Sequence, residues 1–485
     1  MIPIHTEDCS VQGAPSFRET PERAVQLLAR GFRENVWARQ HPPKVPILVD
    51  AGLTLYLAPW YVNRIIPDYA IKNFKEIADV GSTPSVNVVV ELGRPKTSLG
   101  WSGVLRFHMT QGAKPEPAYA ITDWKAKPDV KGSASPVELD MASPTTLADF
   151  VDWTLQYYKA KHYMLVIWNH GQGWRFQAAT SAELKAASKT QEVLSDFVEQ
   201  GGDVKSYAEL LDSSSPIGGF RSVSVDDDTG GVLFNNQIEK VLADRFAVGK
   251  RPSDPQKPCD PKKKECSLDV LGFDACLMSM IETAYAFRKS VDIMVGSEEL
   301  EPAEGWDYRE FLTNLTKTPS MNAEQVGKAA VDAYKKRYVN PNDLVTQSSV
   351  RVQSIQSVAS SISDLATLMR ADINNERNFI RLARINSKTY GTRYNFKTSI
   401  DLAAFLSKYK STTKNPDIKL AIDTVLQDIK GSVAANWASP YFPASAADVV
   451  MEPVDHSGYQ KGNSLFPVDF VRNEYWADFI ADYLR

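Results

Sequence analysis

Apolar residues in this chain follow two patterns, short unbroken runs and stripes at helical spacing. Residues 86–92, 162–168 and 291–295 are runs rich in β-branched and aromatic residues, and another run ends at Asp274. Run 162–168 is too short for a core helix, and the β-branched content predicts strands buried on both faces. Residues 45–49 read as a first strand, followed by an apolar turn over residues 51–57. Residues 104–109 and 118–121 predict an antiparallel excursion around Lys114-Pro115-Glu116-Pro117. Between the runs, Ile71, Phe74 and Ile77 mark one helix. Ser143 caps and Pro144 opens another, with Leu147, Phe150, Val151, Leu155 and Tyr158 as its stripe. A further helix starts near Asn235. Strand–helix alternation of this kind predicts an α/β fold with a mostly parallel sheet covered on both faces.

Beyond residue 344 the pattern becomes mainly helical. Ile355, Val358, Ile362, Leu365, Leu368 and Met369 form one stripe, and Leu402, Phe405 and Leu406 another, both read as core faces. A terminal helix over residues 475–484 is expected to dock back on the sheet. The predicted organisation is an extension (1–44), an α/β domain (45–344) with insertions near 175–220 and 250–266, and a mainly helical subdomain (345–485) packed on the sheet.

Two strand ends carry chemistry. Trp168-Asn169-His170-Gly171-Gln172-Gly173-Trp174 and Leu271-Gly272-Phe273-Asp274-Ala275-Cys276-Leu277-Met278 each place a reactive side chain just past a buried run. In parallel sheets the chemical crevice lies outside the carboxyl ends of the strands, so neighbouring strands ending in His170 and Cys276 would make a thiolate–imidazole pair. The apolar positions after Cys276 (Leu277, Met278, Met280, Ile281, Ala284, Tyr285) have helical spacing. They predict a strand-to-helix junction, where a helix N-terminus lowers a thiol pKa and offers N–H groups to an oxyanion. The bland alternatives are a buried structural cysteine and a histidine that holds a backbone carbonyl. Asp274 has two readings as well. Alternation with period two puts it on the face of Cys276, where it would pair with a substrate Arg or Lys; otherwise it caps the following helix.

These segments resemble the clostripain-like cysteine peptidases, the C11 group of the clan that also holds caspases, gingipains and legumain. Asn169-His170-Gly171-Gln172-Gly173-Trp174, Gly272 to Met278 with Glu282, and Ser297-Glu298-Glu299-Leu300-Glu301-Pro302-Ala303-Glu304-Gly305-Trp306-Asp307-Tyr308 match three family motifs in order. The similarity runs from about residue 45 to 344 and returns at Phe466-Pro467 and Tyr475-Trp476-Ala477-Asp478-Phe479. It implies a caspase-like α/β/α sandwich and an endopeptidase that cuts after Arg or Lys. His170 and Cys276 would form the dyad, and Gly171 and Cys276 would supply oxyanion N–H groups. Asp274 would lie in the specificity pocket, with Glu301 and Glu304 on an acidic loop beside it. The family is activated by a cut between its His and Cys motifs, which makes Lys185, Lys189, Lys205, Arg221, Lys262, Lys263 and Lys264 candidate sites. Some members depend on calcium. Asp226-Asp227-Asp228-Thr229-Gly230 is compatible with that ion but lacks full EF-hand spacing, and an acidic surface turn is the simpler reading. The chemistry itself needs no cofactor. The apolar stretch 51–57 departs from the polar turn that family members carry there. A decayed, inactive caspase-like scaffold is the alternative, disfavoured by the joint presence of His170, Cys276 and Asp274.

Composition narrows the class without changing it. With 55 Lys plus Arg against 59 Asp plus Glu, a net charge of −4 gives no pull toward nucleic acid or anionic membrane. No apolar run approaches a membrane span, and the first residues lack a basic start and apolar block, so either the protein stays in the cytosol or a leader was removed. Four cysteines are too few for a disulfide framework, and Cys259 and Cys266 lack companion zinc ligands. A local disulfide between them would fit an oxidising compartment. Gly171-Gln172-Gly173 fails as a dinucleotide fingerprint because Phe176 holds the third glycine position. There is no Gly-x-x-x-x-Gly-Lys-Ser/Thr or His-Glu-x-x-His segment.

Overall fold

Val, Ile, Leu and aromatic runs need partners on both faces and along both edges, and the chain supplies them from both its halves. The computed structural model describes residues 53–59, 67–96, 98–124, 132–169, 171, 173, 224–226, 228–229, 231–250, 260, 263–340, 345–390, 398–435, 459, 461 and 468–485. The strands are β1 (Leu53–Pro59), β2 (Val86–Arg94), β3 (Gly103–His108), β4 (His162–Trp168), β5 (Ser224–Asp226), β6 (Gly231–Leu233), β7 (Leu268–Asp274) and β8 (Val291–Gly296). Later come β9 (Ser348–Arg351), β10 (Thr389–Tyr390), β11 (Ser399–Ile400) and β12 (Val433–Ala435). Eight of these form one sheet in the order β12-β9-β8-β7-β4-β1-β2-β3, while β5–β6 and β10–β11 are separate hairpins. Strands β8, β7, β4, β1 and β2 run parallel, and antiparallel β3 and β9 flank them.

The helices are α1 (Pro67–Val80), α2 (Pro144–Tyr157), α3 (Asn235–Ala243), α4 (Ile281–Ala286), α5 (Tyr308–Lys317) and α6 (Ala323–Arg337). They continue with α7 (Ile355–Ala371), α8 (Ile373–Ile385), α9 (Leu402–Thr412), α10 (Pro416–Ser432), α11 (Asp469–Asn473) and α12 (Trp476–Leu484). Alternation along β4 sorts the layers. Met164, Val166 and Trp168 pack with Phe74, Phe311, Leu312 and Tyr334 of α1, α5 and α6. Tyr163, Leu165 and Ile167 pack with α2, α3, α4 and the C-terminal helices. Each such buried side chain contributes about 1.5–3 kcal/mol, so two full layers hold the sheet rigid. Ser143 accepts from the Thr145 N–H and Pro144 opens α2, as the sequence predicts.

Four expectations change. Residues 45–49 lie outside the described residues, and the stretch read as an apolar turn is itself strand β1, paired from Leu53 with both Val86 and His162. Its Leu-Thr-Leu-Tyr-Leu content suits a central strand. Residues 118–121 are not a strand: Pro117–Tyr119 is a 3₁₀ turn, and β3 pairs with β2 instead. Pro115 and Pro117 lack the N–H groups a ladder needs. Helix α12 docks on α7 and α8 rather than on the sheet, with Arg370 paired to Asp482 at 2.7 Å. Finally, residues beyond 344 add strands β9 and β12 to the same sheet as well as helices.

At the β2–β3 edge a buried ion pair joins Glu91 and Arg106 at 2.6 Å, and Arg106 also reaches Asp149 at 2.8 Å. Its guanidinium lies 4.3 Å from the Trp124 ring centroid. Burial pushes the Glu91 carboxyl upward, and Arg106 opposes that shift. Arg106→Met should lower stability by about 3–5 kcal/mol in urea unfolding, because it strands a buried carboxylate, and adding Glu91→Gln should recover part of the loss.

Candidate active site

The carboxyl ends of β4 and β7 lie side by side, next to the β1–β4 boundary where the chain, having built β2 and β3 on one side of β1, returns to build β4 on the other. Such a switch point opens a crevice. Trp168 is paired with Asp274, and the Asn169 N–H donates to the Asp274 carbonyl at 3.3 Å, carrying the ladder one step past the strand. His170 lies outside the described residues, whereas Gly171 and Gly173 beside it are described. A Cβ on Gly171 would stand 2.2 Å from the Cys276 carbonyl oxygen and 3.0 Å from the Cys276 nitrogen. The two motifs therefore touch backbone to backbone. Gly173, at φ +67°, leaves no space for a side chain against Met280 and the Leu277 carbonyl, and Asn235 at the start of α3 donates to its carbonyl at 3.0 Å.

Cys276 is buried in a turn rather than at a helix N-terminus. Helix α4 begins only at Ile281, and Leu277 has φ +61°, a left-handed conformation that breaks a right-handed helix. Instead the Leu277 N–H donates to the Glu299 carbonyl at 3.1 Å and the Ser279 N–H to the Ser297 carbonyl at 2.8 Å. The helical spacing is real, but pairing with the acidic loop overrides it, so no helix dipole acts on the thiol. The Glu301 N–H donates to Cys276 Sγ at 3.2 Å. Cys266 and Cys276 are each disulfide-bonded.

Asp274 ends β7 and caps no helix. Its Oδ2 accepts from the Trp306 N–H at 3.1 Å and the Tyr308 hydroxyl at 2.7 Å, and a side-chain hydrogen bond joins it to Glu301. The two carboxyls are 4% and 2% exposed. Burial raises both, and Glu301 is held well above the usual carboxylate range by burial and by Asp274 beside it. Alternation with period two does not carry through to Cys276. Cys276 packs in the core layer of α2 to α4, while Asp274 meets Trp306 and Tyr308 of the opposite layer. Glu301 bridges them, with its N–H on sulfur and its carboxyl on Asp274. Gly272 had no assigned role in the sequence; a Cβ there would be 2.7 Å from the Trp306 ring.

The clostripain family model matches residues 63–194 and 260–470, more than half of the chain. The chain belongs to the clostripain family. The interruption falls across the segments read as insertions, and the match runs well past residue 344 into the helices. No curated protein matches the chain. Among solved structures it is similar to an inactive zymogen C11 protease from Parabacteroides distasonis (16% identity, TM-score 0.50, 82% of this chain and 86% of that one). It is also similar to a secreted C11 cysteine protease from Bacteroides thetaiotaomicron in complex with an irreversible peptide inhibitor (14% identity, TM-score 0.49, 79% and 83%). As a clostripain-family protein it has the caspase-like α/β fold and is a cysteine peptidase.

Glu304 turns its backbone inward and its side chain is only half-buried, so Glu301 rather than Glu304 meets Asp274. Lys185, Lys189, Lys205, Arg221 and Lys262 lie outside the described residues, whereas Lys263 and Lys264 are described and exposed. Asp226 is buried in a hairpin turn, where it accepts from the N–H groups of Met141, Asp228 and Thr229 at 2.9–3.1 Å. Among the described residues no three His, Cys, Asp or Glu side chains are grouped to hold a metal; Asp227 of the acidic turn lies outside them. Among the described residues, too, no helix is long and apolar enough to cross a membrane.

Gly171→Ala should reduce peptidase turnover by ~10²-fold or more, because a methyl group must push the Cys276 peptide away by an ångström or so. Steady-state kinetics beside a thermal melt would check this, with most of the fold retained.

Proposed function

We propose that the protein is an endopeptidase that hydrolyses peptide bonds after Arg or Lys, with His170 and Cys276 as its dyad. The adjacency of β4 and β7, closed by contact between the Gly171 and Cys276 backbones, carries this reading. An ordinary thiol has a pKa of about 8.5 and needs a base nearby. His170 takes the Cys276 proton, the thiolate adds to the scissile carbonyl, and the imidazolium protonates the departing amine. Water, deprotonated by the same imidazole, then hydrolyses the thioester. The oxyanion forms against the N–H groups of Gly171 and Cys276; that of Leu277 is already engaged with Glu299. The nucleophile must be a free thiol, so the disulfide at Cys276 marks a resting form that a reductant opens.

Asp274 and Glu301 set the specificity. Burial and mutual repulsion raise both adjacent carboxyls, and a substrate guanidinium or ammonium would bring a fixed positive charge to them. Activation is by self-cleavage in 175–220 or 250–266. Exposed Lys263 and Lys264, with Lys264 at φ +50°, precede β7 without belonging to it, so a cut there leaves the sheet paired.

After reduction, the protein should cleave Arg and Lys fluorogenic peptides, and Cys276→Ala or His170→Ala should lower turnover by ~10³-fold or more. The wild type should separate into two fragments only on denaturation, while Cys276→Ala stays whole by mass spectrometry. A folded, reduced protein that cleaves no peptide would leave the scaffold reading standing. Asp274→Ala should lower kcat/KM for basic substrates by about 10–100-fold with little change in Cys276 alkylation. Because Glu301 is protonated where an ordinary glutamate is ionised, raising the pH adds negative charge to the pocket. KM for basic peptides should therefore fall as pH rises, and Glu301→Gln should flatten that dependence.

A further inference from the structure

The acidic loop is held from behind by a cluster that neither family motif nor sequence reading singled out. Pro302 to Gly305 form a tight turn, with the Gly305 N–H donating to the Pro302 carbonyl at 2.9 Å and Gly305 at φ +61°. A Cβ on Gly305 would lie 2.6 Å from Asp274 Oδ2, so the turn rests directly on the carboxylate. On its far side, two carbonyls of the turn accept four hydrogen bonds from three side chains. Arg337 Nη1, at the end of α6, donates to the Glu304 carbonyl at 2.8 Å and the Gly305 carbonyl at 3.5 Å. Asn73 Nδ2 of α1 donates to Glu304 at 3.0 Å, and the Tyr338 hydroxyl to Gly305 at 2.8 Å. The guanidinium, its side chain 14% exposed, is itself paired with Glu76, one helical turn from Asn73, and lies 3.8 Å from Asp307.

A trans peptide points its C=O and N–H in opposite directions. Fixing the Gly305 carbonyl toward Arg337 and Tyr338 therefore aims the N–H of the same peptide unit, that of Trp306, at Asp274. We propose that Arg337 is a positioning residue for substrate specificity: it locks the Gly305–Trp306 peptide so that Asp274 stays aimed and charged for the basic side chain before the cut. This rests on the Arg/Lys reading above. Arg337 touches neither Asp274 nor the thiol through a hydrogen bond, so its effect is on binding of that side chain rather than on bond breaking. A lysine keeps the charge but, as a single point donor, cannot hold Glu76 and both carbonyls together.

The test is steady-state kinetics of the reduced full-length wild type, Arg337→Gln, Arg337→Lys and Tyr338→Phe on Arg and Lys peptides, with iodoacetamide alkylation of Cys276 in parallel. Arg337→Gln should raise KM about 10–100-fold with kcat within about threefold and an unchanged alkylation rate. Arg337→Lys should fall between, and Tyr338→Phe, which removes one hydroxyl, should raise KM by a smaller factor. If kcat falls as much as kcat/KM, or alkylation slows in step, Arg337 merely supports the fold and the proposal is overturned. Unchanged KM in Arg337→Gln overturns it too. Should Arg337→Gln fail to fold, Arg337→Lys and Tyr338→Phe decide on the same criteria. A wild type that is active but indifferent to Arg and Lys refutes the specificity reading instead.

Discussion

A carboxylate buried at the end of a central strand constrains everything around it. Water cannot solvate Asp274, so beyond the more distant charge of Arg337 it depends on three groups that the protein brings beside it, the Trp306 N–H, the Tyr308 hydroxyl and the Glu301 carboxyl. All three come from one loop. That loop must therefore close over β7, and to do so it needs a flat spot at Gly272 for the Trp306 ring and a left-handed residue at Gly305. The same closure lays the Glu301 N–H against Cys276 and the Glu299 carbonyl against Leu277. Cys276 and the Asp274 carboxyl thus share a scaffold although they belong to opposite core layers.

The sheet topology gives this arrangement its stiffness. β4 and β7 are interior strands, each paired on both sides, and their ends cannot shift independently. Gly171 and Gly173 are the positions where the backbone of one loop enters the van der Waals shell of the other. Beside Cys276 the backbone strain sits at Leu277, whose left-handed conformation is held by flanking hydrogen bonds from 277 and 279.

Much of this was legible in the sequence. The runs at β2, β4, β7 and β8, the Ser143 cap and the α7 stripe are signals in which local propensity and burial agree. The motif residues Gly171, Asp274, Cys276 and Glu301 do converge at one sheet edge. Misreadings arose where a tertiary partner outweighed a local pattern. Residues 277–280 have helical spacing yet bond to the loop after β8, and β1 looked like a turn because its companions in sequence were equally apolar. Arg337, Asn73 and Tyr338 carried no signal at all, since a side chain that grips a distant carbonyl has no required spacing from it. Only Gly305, placed just before Trp306, hinted that a backbone turn approaches something closely.

The outer edge of β8 is covered by β9, and β9 by β12, both from residues beyond 344. The same late part of the chain reaches the active-site loops. Thr346 Oγ1 accepts from the N–H groups of Glu298 and Glu299 at 3.0 Å, and the Ser348 hydroxyl bonds to that of Ser279. The order of synthesis then matters. A growing chain that has already released its His and Cys strands still has a bare strand edge, and the loop that carries Glu301 has not yet received its anchor. That edge stays open to wrong pairing until the last third of the polypeptide arrives. Seating of the loop beside Cys276 is thereby tied to residues made long after it.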